Sequence, residues 1–111
     1  MKVADLTRAP YVRIYSWMGS QLKLKGNELT AFALIFERDV LGSDNVEALR
    51  IDGAYIARAC GIQPTEIFQI FSSLERKHLL RVEFGEDGMS TYFKVDEEAV
   101  AAAVEQAGGL D

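Results

Sequence analysis

Residues Asp52 to Leu74, DGAYIARACGIQPTEIFQIFSSL, decide how this chain is read. Asp52 suits the N-cap of a helix that runs through Cys60, because its carboxylate can accept from one of the free amides of the first turn. Gly61 can take the left-handed conformation that stops that helix. Pro64 then opens the next one, since the N–H it lacks would be unpaired at a first helical position anyway. Within the first helix Tyr55, Ile56 and Ala59 are expected to face inward. Within the second, Ile67, Ile70, Phe71 and Leu74 form an apolar stripe at three- and four-residue spacing.

Working downstream, Leu79 and Leu80 close the second helix, and strict alternation takes over. Leu80, Val82 and Phe84 precede Gly85 to Gly88, and Thr91, Phe93 and Val95 follow it, which predicts a β-hairpin with Asp87-Gly88 as its turn signal. From about residue 96 to 107, Asp96 as N-cap, Glu97 and Glu98 in the first turn and Gly108-Gly109 at the end predict a short alanine-rich helix. It packs on the domain or on a second copy of it; the sequence leaves both open.

Working upstream, Tyr11, Ile14, Tyr15, Met18 and Leu22 recur at helical spacing and predict a helix over about Tyr11 to Leu22, with Trp17 beside the stripe. Asn27 is the expected N-cap of a helix reaching about Val40, with Glu28 in the first turn where the helix dipole favours an acid. Residues Ala31 to Phe36 are apolar on nearly every side, as expected of the centre of a core. Gly42 to Asn45 form a turn cluster, and Ala48 to Ile51 are expected to pair as a short strand.

Helix, short glycine-containing turn, helix and hairpin is the architecture that lays a helix into a DNA groove. The expected fold is therefore a winged helix-turn-helix, mainly α with a small β-hairpin wing, formed by residues 1–111 as one domain.

The 111 residues suffice for a single core without metals or disulfides, and 49% hydrophobic with 26% charged residues argues against a disordered chain. The one cysteine, Cys60, has no partner for an internal disulfide and reads as a small core residue rather than a reactive thiol. The start lacks the apolar stretch of a signal peptide and no apolar run is long enough to span a bilayer, so a cytoplasmic protein with no membrane partner is expected. The net charge of −5 opposes nucleic-acid binding as a sum, but its distribution is uneven. Residues 1–25 carry Lys2, Arg8, Arg13, Lys23 and Lys25 against Asp5 alone. Residues 79–111 carry Arg81 and Lys94 against Glu83, Glu86, Asp87, Asp96, Glu97, Glu98, Glu105 and Asp111. Such asymmetry suits a nucleic-acid surface or an oppositely charged partner, and solvated faces produce it as well.

Four stretches, Lys25 to Leu29 (KGNEL), Ala54 to Ile62 (AYIARACGI), Thr65 to Ile67 (TEI) and Ser73 to Leu80 (SLERKHLL), carry a family pattern. With them the chain resembles winged-helix domains of bacterial and phage replication proteins, of the replication initiator and DnaD amino-terminal type. The resemblance covers about two thirds of the chain, mostly at core and turn positions. It implies a DNA-binding role in replication initiation or transcriptional regulation. Domains of the DnaD type are also associated with self-association, so a protein–protein module that does not itself bind DNA is the alternative. The chain departs from the pattern at Gln63-Pro64, where serine is usual, and at His78, where glycine is usual. It also carries Pro64, Thr65, Glu66 and Gln69 where such readers have Arg or Lys.

The expected DNA-contacting residues are Thr65, Gln69, Ser72, Ser73, Arg76, Lys77, Arg81, Lys94 and Arg13. Gln69 can pair bidentately with adenine, Thr65 and Ser72 can bond bases or phosphates, and Arg76 and Lys77 can hold the backbone. Phe68 falls outside the buried stripe and suits a thymine methyl or a protein interface. Double-stranded DNA, a second copy in a homodimer, and another replication or regulatory protein are the expected partners. A histidine pair, a Gly-rich phosphate loop and a cysteine cluster are all lacking, so neither an enzyme nor a cofactor or metal is expected. His78, the single histidine, reads as a structural or exposed helix-end residue.

Overall fold

A computed structural model of the chain describes residues 1–9, 11–42, 52–85, 88 and 91–110. It is mostly helical with a small two-stranded antiparallel hairpin, an α+β arrangement. After a 3-10 helix, Val3–Arg8, come α1 (Ser16–Ser20) and α2 (Gly26–Phe36), which continues through a π-helical turn, Glu37–Leu41. Then follow α3 (Gly53–Cys60), a 3-10 turn (Pro64–Glu66) leading into α4 (Ile67–Arg76), β1 (Leu80–Phe84), β2 (Thr91–Val95) and α5 (Glu97–Gln106).

Helix α2 is the centre of the core. Five consecutive residues, Ala31 to Ile35, are buried, because α1, α3, α4 and β2 surround it. Phe32 is fully buried and meets the Trp17 ring edge-on, while Trp17, Tyr15 and Phe36 complete an aromatic cluster around it. On the other side Ile56, Ala57, Ile67, Phe71 and Leu74 close the interface between α3, α4 and α2.

The local signals for α3 and α4 act as expected. The Asp52 carboxylate accepts from the Tyr55 amide at 2.8 Å. Gly61 has φ +71°, and Pro64 occupies a first helical position. Asp96 likewise accepts from the Ala99 amide at the start of α5. Helices α3, α4 and α5 share one kind of ending. In each, an amide bonds back three residues and the next bonds back five: Gly61 to Arg58 and Ile62 to Ala57, His78 to Glu75 and Leu79 to Leu74, Gly108 to Glu105 and Gly109 to Val104. This pair of bonds requires a left-handed residue at the first of the two amides. Gly61 and Gly108 supply it freely, whereas His78 holds φ +63° against the steric cost of its Cβ. His78→Gly is expected to stabilise the fold by about 0.5–1 kcal/mol, the relief of strain exceeding glycine's extra unfolded-state entropy. Chemical denaturation checks this; a loss of stability would show that the His78 side chain contributes more than its strain costs.

Three expectations are corrected. Residues Tyr11–Tyr15 are not helical: the Arg13 amide donates to Glu37 at 3.0 Å, holding the strand-like approach to a helix that starts only at Ser16. Tyr11 and Ile14 are accordingly exposed. Asn27 does not cap α2; the helix begins at Gly26, whose φ of +57° turns the chain into it, and Asn27 lies in the first turn. In α3 the inward residues are Ile56 and Ala57, with Tyr55 half-buried and Ala59 exposed. The Gly53 backbone lies close to α4, where an added Cβ would meet Ile67 and Phe71 at ordinary contact distance. The expected turn over Gly42 to Asn45, beyond Gly42 itself, and the expected strand over Ala48 to Ile51 lie outside the described residues.

The hairpin pairs Leu80 with Val95, Val82 with Phe93 and Phe84 with Thr91, the register that alternation requires. Burial falls along it, from 2% exposure at Leu80 to 69% at Phe84, so only its base belongs to the core. The end of α2 grips the outer edge of β2. Arg38 Nη2 donates to the Phe93 carbonyl at 2.6 Å, and Asp39 accepts from the Val95 amide at 3.1 Å while pairing with Arg38 at 2.7 Å. Those side chains satisfy backbone groups that an edge strand would otherwise leave open to another chain.

Candidate functional site

The second helix of the α3–α4 pair presents one polar stripe. Thr65, Gln69, Ser72 and Arg76 follow one another at three- to four-residue spacing, opposite the buried Ile67, Phe71 and Leu74. Among the described residues none of the four side chains makes a hydrogen bond. Phe68, 64% exposed, stands beside them, and Phe68, Gln69, Ser72 and Arg76 line a shallow hollow of about 420 Å³. A second hollow of about 320 Å³ opens between α3, α4 and β2, where Phe68 and Tyr92 share its lining with Phe93. The Phe71 and Phe93 rings, 4.9 Å apart, hold the base of the hairpin against α4.

The remaining expected contact residues are engaged within the chain. Ser73 Oγ donates to Glu28 at 2.6 Å and Lys77 Nζ reaches both Glu28 oxygens at 2.9 Å, so these two lie toward the start of α2. Arg13 grips Glu37 through Nε at 3.2 Å and Nη2 at 2.5 Å. On the hairpin Arg81 pairs with Glu83 at 2.8 Å, Tyr92 donates to Glu83 at 3.2 Å, and Lys94 Nζ lies 5.8 Å from the Tyr92 ring centre. The structure thus brings Thr65, Gln69, Ser72 and Arg76 together with Phe68, and gives Ser73, Lys77, Arg13, Arg81 and Lys94 internal partners. Glu86 and Asp87, the other expected acids of the hairpin, lie outside the described residues.

Glu28 is the residue whose role the sequence concealed. It looked like a dipole-favoured acid of a first turn, but its partners lie 45 and 49 residues away. Nothing local signals that pairing. Burial pulls its carboxyl upward, yet the hydrogen bonds from Ser73 and Lys77 and the charges of Lys77 and Arg76 outweigh it and hold the group below its ordinary 4.5. A depressed carboxyl stabilises the fold above its unfolded pKa, and that contribution is lost as pH falls through the folded value. Glu28→Gln is therefore expected to cost about 0.2–1 kcal/mol at pH 7, the range for a partly exposed pair. The difference from the parent should shrink as pH falls below 4.5. Thermal melts across pH check this, and a difference that grew on acidification would refute it.

The Cys60 thiol is half-buried, with Sγ 3.7 Å from the Asn27 carbonyl, and burial raises its pKa, which favours the unreactive thiol form. Among the described residues there is no group of three His, Cys, Asp or Glu placed to hold a metal ion, and no helix long and apolar enough to cross a membrane. Comparison with protein-family models, with curated proteins and with solved structures finds no match for this chain.

Proposed function

We propose that the chain is a winged helix-turn-helix DNA-binding module acting in bacterial or phage replication initiation or transcriptional control, with α4 as its recognition helix and the β1–β2 hairpin as its wing. The observation that carries this reading is the stripe of Thr65, Gln69, Ser72 and Arg76. These are hydrogen-bonding side chains of the kinds that reach bases and phosphates, aligned on the helix that follows the turn and left without internal hydrogen-bond partners among the described residues. Gln69 reads a base edge, Thr65 and Ser72 reach bases or phosphates, and Arg76 holds the backbone. Arg81, Lys94 and Arg13 are occupied internally, so phosphate affinity is weak per copy and two copies are needed to accumulate contacts.

Fluorescence anisotropy against a randomised duplex pool at two salt concentrations tests the reading. Binding is expected to weaken steeply with salt and to enrich a common sequence. Gln69→Ala is expected to lose about 1–3 kcal/mol of discrimination at one base pair, and Arg76→Ala to weaken binding across all sequences. No binding by folded protein at low salt would defeat it.

One observation favours a second reading, a protein-docking module. Phe68, Tyr92, Val82 and Phe84 are all exposed large apolar residues on α4 and the hairpin, and aromatic residues are enriched at protein interfaces. Under that reading Phe68→Asp abolishes association without unfolding the chain, and association unchanged by it would remove the site.

A further inference from the structure

The first nine residues bury nothing. The 3-10 helix Val3–Arg8 has no buried residue, with Val3 81% and Leu6 56% exposed. At three residues per turn, positions three apart eclipse, so Val3, Leu6 and Ala9 form one apolar edge and Lys2, Asp5 and Arg8 the adjacent one. Asp5 accepts from the Lys2 amide at 3.1 Å and remains charged, so this edge of the arm carries Lys2 and Arg8 against Asp5, a net positive balance of one. Such a turn has little reason to persist unless its apolar edge is covered.

A groove of about 580 Å³ runs between the end of α2 and α5. Its floor is apolar, from Trp17, Phe36, Val40 and Val104, and Glu97 and Glu105 stand at its margin. The sequence of α5 contains no basic residue. Arm and groove therefore carry opposite charge beside apolar surface. Their lengths agree as well. Lys2 and Arg8 are six residues apart, about 12 Å at the 3-10 rise, and Glu97 and Glu105 are eight apart, about 12 Å at the α-helical rise.

We propose that the α2–α5 groove receives the amino-terminal arm, residues 1–9, of a second copy of this chain. Val3 and Leu6 enter the apolar floor, and Lys2 and Arg8 meet Glu97 and Glu105. In its own chain the arm is exposed throughout, and none of residues 1–9 lines this groove. Reciprocal exchange uses the same two surfaces twice and closes into a two-fold dimer. The inference rests on the arm and the groove, not on DNA; if α4 reads DNA, the exchange supplies the second recognition helix.

Sedimentation equilibrium of the full chain over a concentration series reads the outcome. The parent is expected to dimerise. Leu6→Asp should raise the dimer Kd about a hundredfold or more, since reciprocal exchange loses two buried apolar side chains per dimer, and leave the thermal melt of the monomer unchanged because Leu6 is exposed and outside the core of its own chain. Arg8→Glu and Glu105→Lys should each weaken the dimer, and the two together should restore it. In a Cys60→Ser background, Leu6→Cys with Val104→Cys should cross-link into dimers under oxidation. A chain that stays monomeric at every concentration overturns the proposal. So does a cross-link confined within one chain, which would mean that the groove takes its own arm. A dimer untouched by Leu6→Asp but lost in Phe68→Asp overturns it too, and moves the interface to α4.

Discussion

Phe32→Ala is expected to destabilise the fold by about 3–5 kcal/mol, the cost of emptying a fully buried aromatic site. Phe32 sits in the middle of α2 with no exposure, its ring centre 6.5 Å from Trp17 and 5.9 Å from Phe36. Neither neighbour can collapse freely into the gap. Trp17 belongs to the short α1, and Phe36 is also held by contacts with Trp17 and Tyr15. Against a total stability of about 5–15 kcal/mol for a domain of this size, the loss is a large share of the whole. At about 4–8 °C per kcal/mol, the Tm should fall by more than about 10 °C. A circular-dichroism melt measures it, and a change of less than about 1 kcal/mol would show that Phe32 is not the keystone of this core. The consequence reaches the candidate site, because α2 is the surface on which α3, α4 and β2 are all seated.

Arg13→Met should produce the largest loss of any single charge substitution, and one that depends on pH. Glu37 is the one buried charged residue among those described, with no exposed surface. Arg13 covers its carboxylate from the strand-like segment before α1, donating through its amide, Nε and Nη2. The bond to Glu37 raises the Arg13 pKa in turn, against the opposing effect of burial, so the guanidinium stays charged at any ordinary pH. Methionine keeps much of the stem's packing and removes the charge. The carboxylate keeps the Arg13 amide but loses the two guanidinium bonds and the positive charge that offset its burial, which favours its neutral form more than in the parent. A carboxyl raised in the folded state contributes stability that is present below its unfolded pKa and lost as pH rises through the folded value. The destabilisation of Arg13→Met should therefore be greater at pH 8 than at pH 4. Melting curves for parent and variant at the two pH values decide it. An equal loss at both would mean that packing, not the guanidinium charge, is what Arg13 supplies.

The two halves of the chain differ in how readily they could be read. Around α3 and α4 the determinants are short-range: a carboxylate capping an amide three residues on, a glycine in the left-handed region, and a proline where no amide is needed. The same holds for the hairpin register, which alternation imposes, and for α5, framed by Asp96 and Gly108. The segment Tyr11–Leu22 misled because helical spacing of apolar residues can be met by coincidence over a dozen positions. Its backbone is held by Glu37, 24 residues beyond Arg13, which no window of that length contains. For the candidate site, the exposure of Phe68 and the outward stripe of Gln69, Ser72 and Arg76 followed from placing Ile67, Phe71 and Leu74 inward. The internal engagement of Ser73 and Lys77 did not follow, because whether a polar residue at the edge of a stripe meets solvent or a neighbour depends on what the opposing element carries.

What the sequence determined by itself is where most helices and strands begin and end and which face of α4 is apolar, since capping, backbone stereochemistry and periodicity act within a few residues. What only the tertiary structure decided is which charges remain available. Glu28, Glu37 and Glu83 take up Lys77, Arg13 and Arg81, the first two across 49 and 24 residues of chain. An ion pair forms where packing brings its partners within hydrogen-bond reach, and that placement is set by the burial of Phe32, Ile56, Phe71 and Leu74 around α2 rather than by any property of the charged residues themselves.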